Sequence, residues 1–263
     1  LTPLAAPKLA TPVCAACRET GPGIDFSFAF QPIVDVERGD VFAYEALVRG
    51  TAGGSAASVL TQVEVDNVYR FDQAIRVRAL ELAARMNLRG GISINFLPNA
   101  VYRPELCIRT TLEAAERLGF PISNIMFEVS EMEHVMDRTH LTAILREYKR
   151  QGFLTAIDDF GSGWAGLGLL ADFQPDFLKI DIDLVHNIES GASRQVIVRS
   201  IVDMCRALDV RIIAEGVETV EEYCWLRDAG ITLFQGFLFA RPAFEALPPI
   251  HLPEYTAGRR SHV

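Results

Sequence analysis

The chain has 263 residues, 49% of them hydrophobic, and a formal net charge of −9 with a pI near 5.1. That is enough apolar material for one large core, at the length of about 250 residues that an α/β barrel needs. The acidic balance argues against whole-surface attraction to nucleic-acid polymers, and no apolar stretch approaches the roughly 20 residues of a membrane span. A small phosphorylated ligand stays open, because metal ions can supply positive charge locally.

Residues 1–24 are rich in Ala, Pro, Thr and Gly without lasting periodicity, which reads as a flexible extension or linker. The opening segment contains Lys8 and two prolines but no apolar run of the kind a signal peptide carries, so a cytoplasmic protein is expected. No sensor module is expected within this segment, unless Cys14 and Cys17 form one. The five cysteines are an odd number at scattered spacing, which argues against a disulfide framework. No second Cys or His pair near Cys14 and Cys17 completes a four-ligand zinc set, and a mobile tail is the simpler reading. Cys205 and Cys224 sit among helical apolar residues and read as small core side chains.

Phe26 to Val34 and Val41 to Val48 alternate like strands, and the short polar connection from Asp35 to Asp40 contains Gly39, which implies an antiparallel hairpin. Phe71, Ile75, Ala79, Leu82 and Met86 mark one face of a helix over 71–86. From Gly91 the pattern becomes strand, helix, strand, helix. A second helical stripe is set by Ile197, Ile201, Cys205 and Leu208 within 194–208. Two hairpin strands and six alternating ones make eight, so the expected architecture is a modified (β/α)8 TIM-like barrel over 25–247, whose first strands break the all-parallel rule. A doubly wound open sheet is the alternative, but it lacks a glycine-rich phosphate fingerprint after its first strand. Residues 248–263 read as a loose C-terminal tail.

The six later strands all end in polar groups. Ile92-Ser93-Ile94 runs into Asn95, Ile125-Met126-Phe127 into Glu128, and Leu154-Thr155-Ala156-Ile157 into Asp158-Asp159. Phe177-Leu178 meets Lys179-Ile180-Asp181, Arg211-Ile212-Ile213-Ala214 meets Glu215, and Ile231-Thr232-Leu233-Phe234 meets Gln235. The carboxyl ends of parallel barrel strands converge, so these groups would share one mouth. Acids gathered in that way repel one another unless they hold cations, which points to a metal site. For any one acid taken alone, an N-cap of the following helix is the competing reading.

Tyr44-Glu45-Ala46-Leu47-Val48-Arg49 resembles the Glu-Ala-Leu-x-Arg signature of EAL-domain cyclic di-GMP phosphodiesterases. The other blocks of that family follow in order: Ser93-Ile94-Asn95, Phe127 to Glu131, Asp158 to Gly163, Lys179-Ile180-Asp181, Ala214 to Thr219, Gln235-Gly236-Phe237 and Arg241-Pro242. The resemblance covers residues 26 to 245. It implies a barrel with one antiparallel strand, a homodimer, and hydrolysis of cyclic di-GMP to linear pGpG using two Mg²⁺ or Mn²⁺ ions, with Ca²⁺ inhibitory. Many members have lost turnover and act as receptors or scaffolds, which is the alternative role.

By the same resemblance, Glu45, Asn95, Glu128, Asp158, Asp159 and Glu215 are the metal ligands, all hard oxygen donors suited to such ions. Lys179 would hold or help deprotonate the attacking water, and two nearby cations would lower its pKa. A surface lysine paired with Asp181 is the competing reading. Gln235 matches a contact to the water network, or else a hydrogen bond that closes the last strand. Arg49 would clasp a phosphate with its planar fork. Leu47 and Pro242 match apolar contacts to a guanine, and Asp181 and Glu218 belong with the substrate site, Glu218 being equally readable as the cap of a helix starting near Thr219. Glu131 matches the acid that steadies the loop from Phe160 to Leu167. In that loop Ser162 stands where Thr or Ala is common and Trp164 where Tyr or Phe is common, and neither change removes a ligand.

Overall fold

The computed structural model describes residues 23–51, 53–131, 137–163 and 166–255. Cys14, Cys17 and Trp164 therefore lie outside the described residues. Nine strands are found among those described: β1 (Phe26–Asp35), β2 (Asp40–Gly50), β3 (Gly91–Asn95), β4 (Ile125–Ser130), β5 (Leu154–Phe160), β6 (Phe177–Ile180), β7 (Arg211–Ala214), β8 (Leu233–Phe234) and β9 (Ala243–Phe244). Strands β2 through β8 pair in parallel in sequence order. β1 closes the ring by pairing antiparallel with both β2 and β8. The result is an eight-stranded barrel with one reversed strand, and β9 adds to the other part of β1.

The hairpin turns where expected because Asp35 Oδ1 accepts the N–H groups of Glu37 and Arg38 while Gly39 adopts φ of 70°. A bulge between Ile33 and Val34 then shifts the register, so that Gln31 faces Glu45. Helices Val68–Arg85, Arg109–Leu118, Arg138–Gln151, Ala192–Ala207 and Val220–Asp228 cover the outside. Outward-facing strand residues such as Phe30, Ile94, Phe127, Ile157 and Leu178 meet those helices in one continuous core. Burial of each such side chain contributes about 1.5–3 kcal/mol. No helix among the described residues is long and apolar enough to cross a membrane.

The barrel interior holds a second, smaller core. Ile33, Ala43, Met126, Ala156, Phe177, Ile213 and Leu233 form an apolar plug, one side chain from every barrel strand except β3, which supplies Gly91 there. A Cβ at Gly91 would press on the Ala43 side chain at 3.1 Å, so the gap is already filled. A cleft of about 340 Å³, lined by Phe42, Gly90, Asn124 and neighbours, lies at the amino-terminal end of the strands.

Two expectations need correction. On the 192–207 helix the buried stripe is Val198, Ile201, Val202 and Cys205, while Ile197 is 45% and Leu208 37% exposed. The stripe is thus rotated from the expected one, because Val198 and Val202 pack inward in place of Ile197 and Leu208. The chain after Pro248 is also not loose up to Tyr255. His251 N–H donates to Phe239 O, Pro253 is buried, and Tyr255 donates to Asp228 beneath the Arg227 guanidinium. A proline-rich segment anchored by single contacts has no periodicity to reveal this in the sequence.

Candidate metal centre

Side chains alternate along a strand, so the residue two steps from each plug position faces the same interior, nearer the mouth. There stand Glu45 on β2, Glu128 on β4, Asp158 on β5, Lys179 on β6, Glu215 just past β7 and Gln235 just past β8. Asn95 ends β3. β1 runs the other way, so its contribution, Gln31, lies two residues before its plug residue Ile33.

Lys179 is fully buried at the centre. Its Nζ lies 2.8 Å from Glu215 Oε1, 2.9 Å from Glu128 Oε2, 3.0 Å from Asp158 Oδ1 and 3.5 Å from Glu45 Oε2. This excludes the surface pairing with Asp181, whose carboxylate instead caps the helix Ile182–Val185 by accepting the Asp183 N–H. Burial opposes the lysine's charge, but the four acids outweigh it and hold Lys179 well above the ordinary lysine range. The expected downward shift presupposes two neighbouring cations; the protein's own groups act in the opposite direction.

Glu128, Glu215, Asp158 and Asp159 shift in different directions. Burial pushes the Glu128 carboxyl up to about 8 against the pull of Lys179, and Glu215 is raised well above its ordinary value by burial, with Asp158 and Glu45 adding to it. Burial also works against Asp158, yet Lys179 and hydrogen bonds from Glu215, Lys179 and the Asp159 N–H keep it below the usual range. Asp159, half-buried, is raised by burial and by Asp158.

Two overlapping triads carry oxygen atoms within 4.8 Å of one another: Glu45, Glu128 and Asp158, and Asp158, Asp159 and Glu215. Asp158 belongs to both. Asp159 can join its neighbour on the same side because it adopts φ of 55°, a left-handed conformation that Asp tolerates better than most residues, and Ser130 Oγ donates to its Oδ2 at 2.6 Å. Simple strand alternation would have sent the two carboxylates to opposite faces. Asn95 Nδ2 donates to Glu45 Oε1, which leaves Oδ1 as the oxygen it can offer a cation. Glu128 Oε1 is buried with no hydrogen-bond partner. A hard oxygen set with one shared carboxylate and one orphaned buried oxygen fits a pair of divalent cations.

The EAL domain family matches residues 19–242. This chain belongs to the EAL domain family. Among solved EAL structures, the c-di-GMP-bound form of a standalone versatile EAL protein from Vibrio cholerae O395 is 52% identical, with a TM-score of 0.84 over 87% of this chain and 97% of that one. BlrP1 of Klebsiella pneumoniae, in a manganese/cy-diGMP complex, is 37% identical with a TM-score of 0.79 over 86% of this chain and 58% of that one. Curated relatives include the blue light- and temperature-regulated antirepressor BluF of Escherichia coli K12, 34% identical over 89% of this chain, and the cyclic di-GMP phosphodiesterase NbdA of Pseudomonas aeruginosa PAO1, 30% identical over 88% of it. The chain spans 58% of the length of BluF and 30% of NbdA.

The remaining expected positions of this EAL domain lie further along the chain from these polar groups, on the same strands or the loops after them. Leu47 and Arg49 continue the inward face of β2 beyond Glu45 and are half-buried; Arg49 Nη1 donates to its neighbour's carbonyl, Val48 O. Pro242 is half-buried beside β9, and Glu218 is exposed. Glu218 does not cap the next helix: Thr219 does, in a capping box with Glu222. None of the six expected ligands is a helix cap among the described residues. Glu131 accepts Gly161 N–H through Oε2 and Gly166 N–H through Oε1, bridging the loop after Asp159. Gln235 Nε2 donates to Glu45 Oε2 at 2.7 Å and to Gln31 Oε1 at 3.3 Å. Gln31 and Ser130 were not among the expected site residues. Ser130 had a signal, lying between Glu128 and Glu131; Gln31 had one only through the hairpin register.

Proposed function

We propose that this EAL domain hydrolyses cyclic di-GMP to linear pGpG with two Mg²⁺ or Mn²⁺ ions, lowering a bacterial second messenger in the cytoplasm. The observation that carries the reading is the pair of carboxylate triads joined through Asp158, with Lys179 buried between them. Complexes of one relative, BlrP1, with manganese or calcium and cyclic di-GMP support it. Glu45, Asn95, Glu128 and Asp158 would hold one ion, and Asp158, Asp159 and Glu215 the other. Such ions, when bound, polarise the phosphate and supply a nucleophilic water near neutral pH.

The chain's own groups do the positioning. Lys179 would hold the attacking water or help to deprotonate it, trading one of its carboxylate contacts for that water. Gln235, held by Gln31, fixes Glu45. Arg49 clasps a phosphate oxygen, Leu47 and Pro242 contact a guanine, and Asp181 and Glu218 line the substrate site. Water forms the new bond to phosphorus, the bond to the ribose O3′ breaks, and O3′ leaves with a proton, giving a 5′-phosphate. Glu131 steadies the loop that links the site to a homodimer contact. Neither a nucleic-acid polymer nor a membrane is a partner in this reading.

The BluF antirepressor among the relatives favours a second reading, binding of cyclic di-GMP without useful turnover. An assay of the purified protein with Mg²⁺, Mn²⁺ and Ca²⁺ separates them. pGpG formation with Mg²⁺ or Mn²⁺, and inhibition by Ca²⁺, is the expected result; tight binding with no pGpG under any metal establishes the receptor role instead.

A further inference from the structure

Behind the barrel wall lies a second set of buried charges that the proposed chemistry does not use. Asp72 and Arg76, one turn apart on the helix Val68–Arg85, form an ion pair of 2.7 Å in which both side chains are wholly inaccessible. Arg76 Nη1 also donates to Tyr148 OH at 2.7 Å. Replacing such a buried pair with apolar residues of similar volume is commonly neutral or stabilising, so fold stability alone does not account for it.

Its contacts converge on two expected ligands. Asp72 Oδ1 accepts the Leu97 N–H at 3.0 Å, two residues beyond Asn95. The Arg76 guanidinium lies over the rings of Phe96 and Phe127, at 5.6 and 5.0 Å from their centroids. Phe96 directly follows Asn95 and Phe127 directly precedes Glu128, and the two strands are bonded there by Phe96 N–H to Glu128 O at 3.1 Å. Because neighbours on a strand face opposite sides, anything that fixes these two rings also fixes the direction of Asn95 and Glu128.

We propose that Asp72 and Arg76 are positioning residues for the metal centre, holding the ends of β3 and β4 so that Asn95 and Glu128 meet the same cation. The assignment rests on the metal-binding reading of the site and goes beyond it by giving a function to a helix that contributes no ligand. Asp72 does this through the Leu97 N–H, while Arg76 holds the Asp72 carboxylate in place through their 2.7 Å contact and braces the two rings.

Two double variants separate positioning from packing. Asp72→Asn/Arg76→Met removes the ion pair but keeps an acceptor for the Leu97 N–H, whereas Asp72→Leu/Arg76→Met removes both. Mn²⁺ binding is measured directly without substrate, beside thermal unfolding of the metal-free protein. The expected result is an Mn²⁺ affinity about tenfold or more weaker than wild type for the Leu variant, and an intermediate loss for the Asn variant, which keeps the acceptor for Leu97 but lacks the Arg76 brace on Phe96 and Phe127. Equal affinities in both variants, whatever their stabilities, would overturn the proposal. Wild-type protein that binds no Mn²⁺ would instead sink the metal reading itself. Should the Leu variant not fold, amide exchange on the wild-type chain decides. Coupling is reciprocal, so Mn²⁺ must slow exchange at Leu97 if the bond to Asp72 aids metal binding, and an unchanged rate rejects it.

Discussion

Lys179 Nζ lies 2.9 Å from Glu128 Oε2, with both side chains fully buried, at the centre of the acid cluster. Three further carboxylates share the same ammonium group, so the lysine neutralises part of a charge that would otherwise repel itself. Lys179→Met leaves those acids buried without it. We expect the metal-free protein to lose about 3–5 kcal/mol of stability, measured by denaturant unfolding, and added Mn²⁺ to restore part of the loss. Hydrolysis should fall by about 100-fold or more. A variant as active and as stable as wild type would show that Lys179 neither balances the acids nor aids hydrolysis.

The acid cluster also sets a pH dependence. Glu128 binds its proton up to about pH 8 in the folded protein but has an ordinary carboxylate affinity when unfolded. Between roughly pH 4.5 and 8 the folded form therefore holds more protons, and metal-free stability falls as pH rises through this window. Melting of chelator-treated protein should accordingly be higher near pH 6 than near pH 8. Cation binding must expel the same protons, so Mn²⁺ affinity should weaken as pH drops below about 8. Calorimetry in buffers of different ionisation enthalpy reads that proton release; its absence would contradict the assignment.

Because Asp158 belongs to both triads, it should matter to both cations, whereas Glu45 and Asp159 each belong to one triad and should matter to one. Asp158→Asn is expected to abolish saturable binding of two Mn²⁺ ions, while Glu45→Gln and Asp159→Asn each retain one. Turnover should drop by about 1,000-fold or more in Asp158→Asn, equivalent to about 4 kcal/mol of barrier. Equal stoichiometry in all three variants would show that no carboxylate is shared.

Glu131 ties Gly161 to Gly166 with one carboxylate, across the loop that follows Asp159. Glu131→Ala should leave the melting temperature within a few degrees of wild type, since it breaks no barrel contact. Exchange of the Gly161 and Gly166 amides should accelerate by about tenfold, and turnover should fall with it. Unaltered exchange at both glycines would mean that other contacts hold the loop.

Much of this was legible in the amino-acid order because the barrel's interior obeys a two-residue period. The polar residue that ends each apolar run, from Asn95 to Gln235, comes to the mouth with its side chain inward. What was hidden depended on broken periodicity. The bulge at Ile33 and Val34 shifts the hairpin by one residue and so sets Gln31 opposite Glu45, and no local pattern announces such a bulge. The positive φ of Asp159 likewise cancels the alternation that would separate it from Asp158. The 192–207 helix misled because Ile197 and Val198 are both apolar and only packing selects between them. Glu218 and Thr219 were similarly ambiguous until Glu222 completed the box.

The apolar plug fills the barrel on the side away from the acids. If Phe177, Met126 and Ile213 close that side, the cations, water and dinucleotide of the proposed reaction would all enter from the mouth. A seated substrate would then trap whatever ions lie beneath it, so the sequence of arrival matters. Metal supplied ahead of cyclic di-GMP should give immediate turnover, and the reverse sequence a lag.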